Sequence, residues 1–417
     1  MQQKPIPPRL INQPFALGHG VELSNRLVKA SLSERLATTD GRVTQKIISL
    51  YQRWSRSGAG LLITGNVMID RRAIGEPNNV VVEDERDLAM LQKWVAAGTQ
   101  NGAQLWMQIN HPGKQAPRGL NKDSVSASAI PFSPKLAAAF ATPRALTEAE
   151  IEDLITRFGR TARIAQKAGF SGVEIHGAHG YLVSQFLSPH HNQRTDRWGG
   201  NAENRQRFVL EVYREIRRQV GTDFPIGIKL NSADFQRGGF TEEESLSVIQ
   251  ALSHAGIDLI EISGGTYENP VNIVSTNGQK TSTQQREAYF LEFAEKVRTT
   301  VKTPLMVTGG FRSQSGMQEA LASGGLDLVG LGRGLIVEPN FPALLLKGLE
   351  ANHPVKPIST GIGFIDKTGA VEMLWYARQI HLMAKGLEPK PNEHALLSLL
   401  NVIPEMGISS LRSRLRV

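Results

Sequence analysis

Cysteine is missing from all 417 residues. Disulfides, thiolate zinc sites and cysteine-ligated iron–sulfur clusters are thereby excluded. Long hydrophobic runs are missing too. None approaches the ~20 residues of a membrane span, and Met1 to Pro8 is polar and Pro-rich rather than an apolar leader. The expectation is a soluble, cytoplasmic protein with no membrane partner, and the lack of cysteine is compatible with that compartment. Clustered positive charge is scarce as well. The chain carries 47 basic and 39 acidic residues, a net +8, scattered except for Arg412, Arg414 and Arg416 near its end. A nucleic-acid binder needs a basic stripe interleaved with aromatics, so nucleic acid is not an expected partner. The mild surplus still favours an anionic ligand.

What is present is alternation. Short β-branched runs bounded by Gly or Pro alternate with helical patterns. Strands are predicted at Arg26 to Leu32, Gly60 to Gly65, Ala103 to Asn110, from Gly172, at Pro225 to Leu230, Ile257 to Ser263, Pro304 to Thr308 and Leu326 to Leu331. Capping boxes at Thr147–Glu150 and Thr241–Glu244 start two of the intervening helices. Eight such units predict an α/β fold, a (β/α)8 TIM barrel. A doubly wound open sheet is the alternative, weakened because no G-x-G-x-x-G follows the first strand. Phe15 to Leu23, two short strands around Gly18-His19-Gly20, predicts an N-terminal β-hairpin that caps the barrel floor. Residues 111–146, rich in Pro, Ser, Ala and Gly, follow a strand and read as a lid or substrate loop. Beyond Pro339 the pattern changes. The expected division is a barrel over 1–350 and a C-terminal helical extension over 351–417, packed on the barrel or on a second subunit. A homo-oligomer is the corresponding expectation.

The densest chemistry lies at the end of the fourth strand, in Val173-Glu-Ile-His176-Gly-Ala-His179-Gly-Tyr181. Two histidines and a tyrosine fall within six residues at a glycine-rich tip, the position where α/β proteins present reactive groups. A structural turn with one buried histidine is the alternative. His176-x-x-His179 is not read as a metal pair, since no carboxylate stands at metal spacing beside it. Strands seven and eight end in Gly309-Gly310 and Gly332-Arg333, and strand six ends in Ser263-Gly264-Gly265. Glycine lets backbone N–H groups approach a phosphate and arginine adds a charge-assisted bond. Tight βα turns would use the same glycines. Ser31, Ser33, Gly65, Asn66, Gln108 and Lys229 are further polar or glycine positions at strand ends. A lysine inside an apolar strand needs an anion or a bound polar group beside it, which singles out Lys229.

Together these residues resemble the Old Yellow Enzyme family of flavin-dependent ene-reductases, in its His-His branch. The match runs from Val173 to Leu182, through Gln185-Phe-Leu-Ser-Pro189, Asn192 and Arg194-Thr-Asp196, to Gly199–Arg205. It is supported in order by Asn25-Arg-Leu-Val28, Gln108, Pro225 to Lys229, Thr308-Gly-Gly310 and Gly332-Arg333. The resemblance implies a barrel holding FMN non-covalently, reduced by NADH or NADPH, acting on a small-molecule substrate. It implies that hydride passes from flavin N5 to Cβ of an activated alkene, with His176 and His179 gripping the substrate oxygen and Tyr181 protonating Cα. It implies that Ala30, Ser31, Leu32 and Ser33 line the flavin, and that Gln108 bonds its pyrimidine edge. Lys229 would sit by N1 and O2, and Gly309, Gly310, Gly332 and Arg333 would hold the phosphate. Gly65, Asn66, Ser263, Gly264 and His176 complete the expected cofactor contacts. Oxidative N-dealkylation of an amine with the same flavin, or a non-redox aldolase using Lys229, are the competing functions.

Overall fold

A computed structural model describes residues 10–266, 281–349, 357–366 and 370–402. The terminal arginines and most of the loop after strand six lie outside these residues. Eight parallel strands form the frame: β1 Leu27–Lys29, β2 Leu61–Ile63, β3 Gln104–Asn110, β4 Gly172–Gly177, β5 Ile226–Asn231, β6 Leu259–Ser263, β7 Leu305–Thr308 and β8 Leu328–Leu331. Each pairs with the next, and β8 returns to β1 through Val329↔Leu27, Gly330↔Val28 and Leu331↔Lys29. The sheet is therefore closed, as the alternation predicts. The principal helices are α1 Gln45–Ser55, α2 Leu88–Thr99, α3 Glu148–Ala168, α4 Ala202–Val220, α5 Glu242–Ala255, α6 Thr281–Arg298, α7 Gln314–Ala322 and α8 Ala370–Ala384. Both predicted capping boxes are made, at Thr147/Glu150 and Thr241/Glu244.

The period-two pleat divides the strands into two faces. Outward-facing Val173, Ile175, Ile226, Ile228, Leu230, Ile260, Ile262, Leu305 and Val307 join the helices in the main apolar cluster. Inward-facing Val28, Leu61, Ile63, Trp106, Leu259, Met306 and Leu328 form a second cluster, closed by Leu17 and Leu23. Those leucines belong to the antiparallel ribbon Phe15–Gly18 and Val21–Leu23, the predicted plug. Trp106 fills the lower barrel. A Cβ at Gly172 would lie 2.4 Å from its Cε2, and one at Gly227 2.8 Å from its Cζ3. Glycine at the inward positions of β4 and β5 makes room for the indole.

The first strand is shorter than its sequence suggests. The strand ends at Lys29, and Glu34, five residues on, accepts the Gly65 N–H at 3.0 Å and the Tyr51 hydroxyl. Lys29 faces outward and is fully buried. Its ammonium donates to the Ile63 carbonyl at 2.7 Å and lies 4.2 Å from the Trp54 ring of α1. Burial lowers its pKa to about 8, with Glu34 4.0 Å away opposing the shift. The excursion at 111–146 is pinned by Lys114, which donates to the carbonyls of Ile130 and Pro131 and to His191 Nδ1. The charged run after His191 is cross-linked: Arg194 bonds Asp196, Arg197 bonds Glu148 and Glu152, and Arg205 bonds Glu244. Helix α8 lies against α1 and against the short helix Arg333–Val337 that follows β8.

Candidate active site

The tip of β4 is over-determined. His179 adopts φ 60° and Gly180 φ 76°. A left-handed histidine costs conformational energy, which the surrounding bonds offset. The His179 N–H donates to Asn231 Oδ1 at 3.1 Å, and its carbonyl accepts from Gln115 Nε2 at 3.0 Å. Gln185 holds the Gly180 carbonyl at 2.7 Å. This backbone brings three rings together. His176 sits 5.2 Å from His179 and 4.7 Å from Tyr181, centroid to centroid, both edge-on.

Both imidazoles are neutral. Burial, then His179 and Lys229, holds His176 well below the usual imidazole range. Burial, then Lys229, brings His179 down to about 3. His176 Nδ1 accepts the Ala178 N–H at 3.3 Å, so the ring proton of the neutral form sits on Nε2. His176 is therefore a fixed N–H donor. His179 Nε2 lies 2.9 Å from Ser263 Oγ, which ties β4 to β6 and leaves Nδ1 as the other ring position.

Beneath the rings runs a buried polar layer on consecutive strands. Register places Gln108 opposite Glu174, His176 opposite Lys229, and Lys229 opposite Glu261. Ser31 Oγ donates to Gln108 Oε1 at 2.8 Å, and Gln108 Nε2 donates to Glu174 Oε2 at 2.7 Å. Lys229 Nζ is 2.6 Å from Glu261 Oε1. Burial, reinforced by Glu261, pushes the Glu174 carboxyl well above its usual range. Burial also raises Glu261, but Lys229 and hydrogen bonds from Glu174 and Lys229 outweigh it and hold Glu261 below that range. The two carboxyls are thus driven apart, Glu174 toward the protonated form and Glu261 toward the ionised form that balances Lys229. Glu174 and Glu261 were not singled out in the sequence. The signal was there: Val-Glu-Ile, Ile-Lys-Leu and Ile-Glu-Ile each put one ionisable residue in the middle of a buried strand.

At the far side, Thr308 and Gly330 are register partners, so the glycine tips of β7 and β8 lie side by side. Gly309 has φ 121° and Gly310 φ 84°. Among the described residues nothing lies within 4 Å of where a Gly309 Cβ would stand, so they leave the backbone open to a ligand there. Arg333 follows directly after Gly332, and its Nη1 donates to Glu372 Oε1 of α8 at 2.5 Å. The Ala30 N–H donates to the Leu331 carbonyl at 2.9 Å, and Leu32 lies beside Gly332, so residues 30–32 border the same mouth.

Other sequence-chosen residues are engaged elsewhere. Ser33 is exposed and bonds Glu76. The Gly65 N–H serves Glu34 and Tyr51, and Asn66 Oδ1 accepts from Asn79. Gly264 allows close packing, since a Cβ there would stand 2.9 Å from both Phe235 and Phe290. Among the described residues, no three His, Asp or Glu side chains gather so as to hold a metal ion. Nor is any described helix long and apolar enough to cross a membrane.

Residues 11–352 match the model of the NADH:flavin oxidoreductase / NADH oxidase family. The chain belongs to that family. It is 36% identical over 393 residues to the NADH-dependent flavin oxidoreductase iliE of Hypocrea jecorina, covering 89% of this chain and 95% of that protein. It is 34% identical to an NADH oxidase of Thermoanaerobacter brockii over 82% of this chain, but only 52% of that longer protein. Among solved structures, morphinone reductase in complex with tetrahydroNAD superposes with a TM-score of 0.68 at 25% identity, covering 82% and 92% of the two chains. The protein is thus an NAD(P)H-dependent flavin oxidoreductase of the Old Yellow Enzyme type, built on a (β/α)8 barrel and using FMN. The residues at the mouth fit that cofactor: an open glycine cradle with an arginine at one side, and an amide and a cation across the barrel.

Proposed function

We propose that the enzyme reduces an activated alkene, an α,β-unsaturated carbonyl or nitroalkene, at the mouth of the barrel beside β4. The observation that carries this reading is the ring cluster of His176, His179 and Tyr181, with two imidazoles held neutral above a buried lysine. In this reading Gly309, Gly310, Gly332 and Arg333 hold the FMN phosphate. Gln108 and Lys229 face the polar edge of its ring system, and Ala30 to Leu32 line it. FMN bound there would supply the hydride-transfer chemistry between nicotinamide and alkene.

The protein's own contribution is electrostatic and positional. His176 Nε2–H donates to the substrate oxygen, and His179 joins it through Nδ1–H when Ser263 donates to Nε2. Two neutral donors aimed at that oxygen draw electron density from Cβ and stabilise the enolate or nitronate charge as it develops. Neutrality matters, because an imidazolium could give up its proton to the oxygen instead of holding it by a hydrogen bond. Tyr181, packed on His176, delivers a proton to Cα as general acid. Lys229 would place positive charge beside the FMN ring system, and Glu261 keeps that ammonium in place. The 2.6 Å ion pair with Glu261 disfavours the aldolase reading, which needs a free amine as nucleophile.

The test is direct. Purified protein is expected to be yellow, to bleach anaerobically with NADH or NADPH, and to recover colour when an enone or nitroalkene is added. Protein that takes up no FMN, or reduced protein that no alkene reoxidises, would overturn the proposal.

A further inference from the structure

The arginine assigned to the phosphate does not stand alone. Its side chain is 35% exposed and reaches α8, where Glu372, 13% exposed, accepts from Nη1. An arginine tethered only at its Cα gives up rotamer entropy when a ligand fixes it. A carboxylate that already holds one nitrogen removes much of that loss in advance. The guanidinium is planar and presents its donors in a rigid fork. With Nη1 committed to Glu372, Nε and Nη2 remain to address a phosphate.

The platform carrying Glu372 is anchored. Helix α8 packs on α1. Trp375 Nε1 donates to the Glu393 carbonyl at 2.9 Å, and Gln379 Oε1 accepts the Lys390 N–H at 2.7 Å. Glu372 lies in the first turn of α8, where an acidic side chain is favourable. One turn on, Tyr376 is buried. Burial raises its hydroxyl to about 12, and Arg333, Glu372 and Arg312 all act on it. Arg312, two residues beyond Gly310, and Tyr376 of α8 thus share the electrostatic surroundings of the Arg333–Glu372 pair.

We propose that Glu372 is the positioning residue for Arg333, so that α8 helps to select a phosphorylated flavin. The proposal rests on the reading that Arg333 binds the FMN phosphate. Glu372 touches neither flavin nor substrate. It acts by holding the guanidinium over the cradle.

The experiment compares FMN with riboflavin, which lacks the phosphate. Full-length holoenzyme is dialysed to equilibrium against equimolar FMN and riboflavin, and the bound flavins are released and quantified. The wild-type protein is expected to hold FMN in large excess. Arg333→Ala should lower the FMN-to-riboflavin ratio on the order of 100-fold, as expected for a charged hydrogen-bonding partner. Glu372→Ala should lower it about tenfold with riboflavin retention unchanged, and Glu372→Gln, which keeps an acceptor but no charge, by about threefold. Should Glu372→Ala not fold, the near-isosteric Glu372→Gln supplies the ratio. A merely structural role would lower both flavins together and leave the ratio at the wild-type value, which overturns the proposal. A rise in the ratio, meaning that Glu372 competes with phosphate, overturns it as well. If Arg333→Ala itself leaves the ratio unchanged, the underlying phosphate assignment fails. If Arg333→Ala lowers it and both Glu372 variants do not, only the role of Glu372 fails.

Discussion

The two ends of the barrel are built from the same eight strands and share almost no chemistry. At the floor the inward residues are Val28, Leu61, Trp106, Gly172, Gly227, Leu259, Met306 and Leu328, sealed by Leu17 and Leu23. Two residues further along β3, β4, β5 and β6, the inward positions become Gln108, Glu174, Lys229 and Glu261. Another two along β4 stands His176. The contrast shows how one closed sheet separates stability from reactivity. Shape complementarity is concentrated where water is absent and no ligand comes. Inside the barrel, buried charge has its partners on neighbouring strands, as Lys229 has Glu261, and it collects beneath the mouth where the cofactor is proposed to sit.

Three substitutions and pH can break that division or sharpen it. The largest effect is expected at the mouth. His176→Ala removes a fixed donor and should lower kcat/KM for an enone by roughly 10²- to 10³-fold, the usual loss for one oxyanion donor. Its melting temperature should stay near wild type. Steady-state kinetics beside thermal unfolding would expose a failure. An unchanged rate, or a loss of rate matched by a collapse in stability, would contradict the separation of roles.

Acid should also act on the upper end first. His111 lies at about 4, His179 at about 3, His191 at about 2 and His176 well below the ordinary value, each mainly through burial. All four stand above the floor, on the tips of β3 and β4 or the segment behind them. For a histidine whose folded pKa is depressed, the unfolded chain binds protons first as pH falls. The stabilisation is complete above pH 6.5 and is lost progressively down to the folded value. At pH 5 the loss is roughly 2 kcal/mol for each such group. Hydrogen exchange at pH 7.5 and pH 5, with FMN saturating, should therefore show protection falling at 178–192 before it falls in the ribbon Phe15–Leu23. Simultaneous loss at both ends would contradict the assignment.

At the floor the expected effect is smaller and purely structural. Gly172→Ala drives a methyl into Trp106, since its Cβ would lie 2.4 Å from Cε2. Overpacking of this kind costs about 1–3 kcal/mol. The melting temperature should fall, while kcat per bound flavin stays unchanged in the fraction that remains folded. A loss of kcat at constant stability would mean that the floor is coupled to the mouth.

How much of this was legible in the chain differs between the same two ends. The strands, the plug and the capping boxes could be read because each is local: β-branched runs, Gly18-His19-Gly20, Thr147–Glu150 and Thr241–Glu244. The three rings at the tip of β4 could be read because six residues carry them. The early end of β1 could not, because the chain beyond it is held by long-range contacts, Glu34 to Gly65 and Tyr51, that no local pattern announces. Glu174 and Glu261 were passed over because each looks unremarkable alone, and only closure of the barrel makes them neighbours of Lys229. Glu372 is 39 residues from Arg333 and across the boundary drawn at residue 350, so no local pattern joins them.

The smallest expected effect tests the least visible of these features. Glu174 and Glu261 are neighbours, yet their surroundings push their carboxyls in opposite directions, Glu174 up and Glu261 down. A glutamate whose folded pKa is raised contributes stability below its unfolded value, near 4.5, and loses it as pH climbs toward the folded value. Glu174→Gln abolishes that titration while keeping both bonds. The new amide oxygen accepts from Gln108 Nε2, and the amide nitrogen donates to Glu261 as the carboxyl proton did. The substitution should change stability by less than about 1 kcal/mol at pH 5. At pH 8 it should leave the melting temperature equal to or above that of the wild type, because the variant has no proton to hold against the solvent. Thermal unfolding at the two pH values decides it. A variant less stable at pH 8 than at pH 5, relative to wild type, would mean that Glu174 is ionised, that Glu261 holds the proton, and that the charge beside Lys229 sits on the other strand.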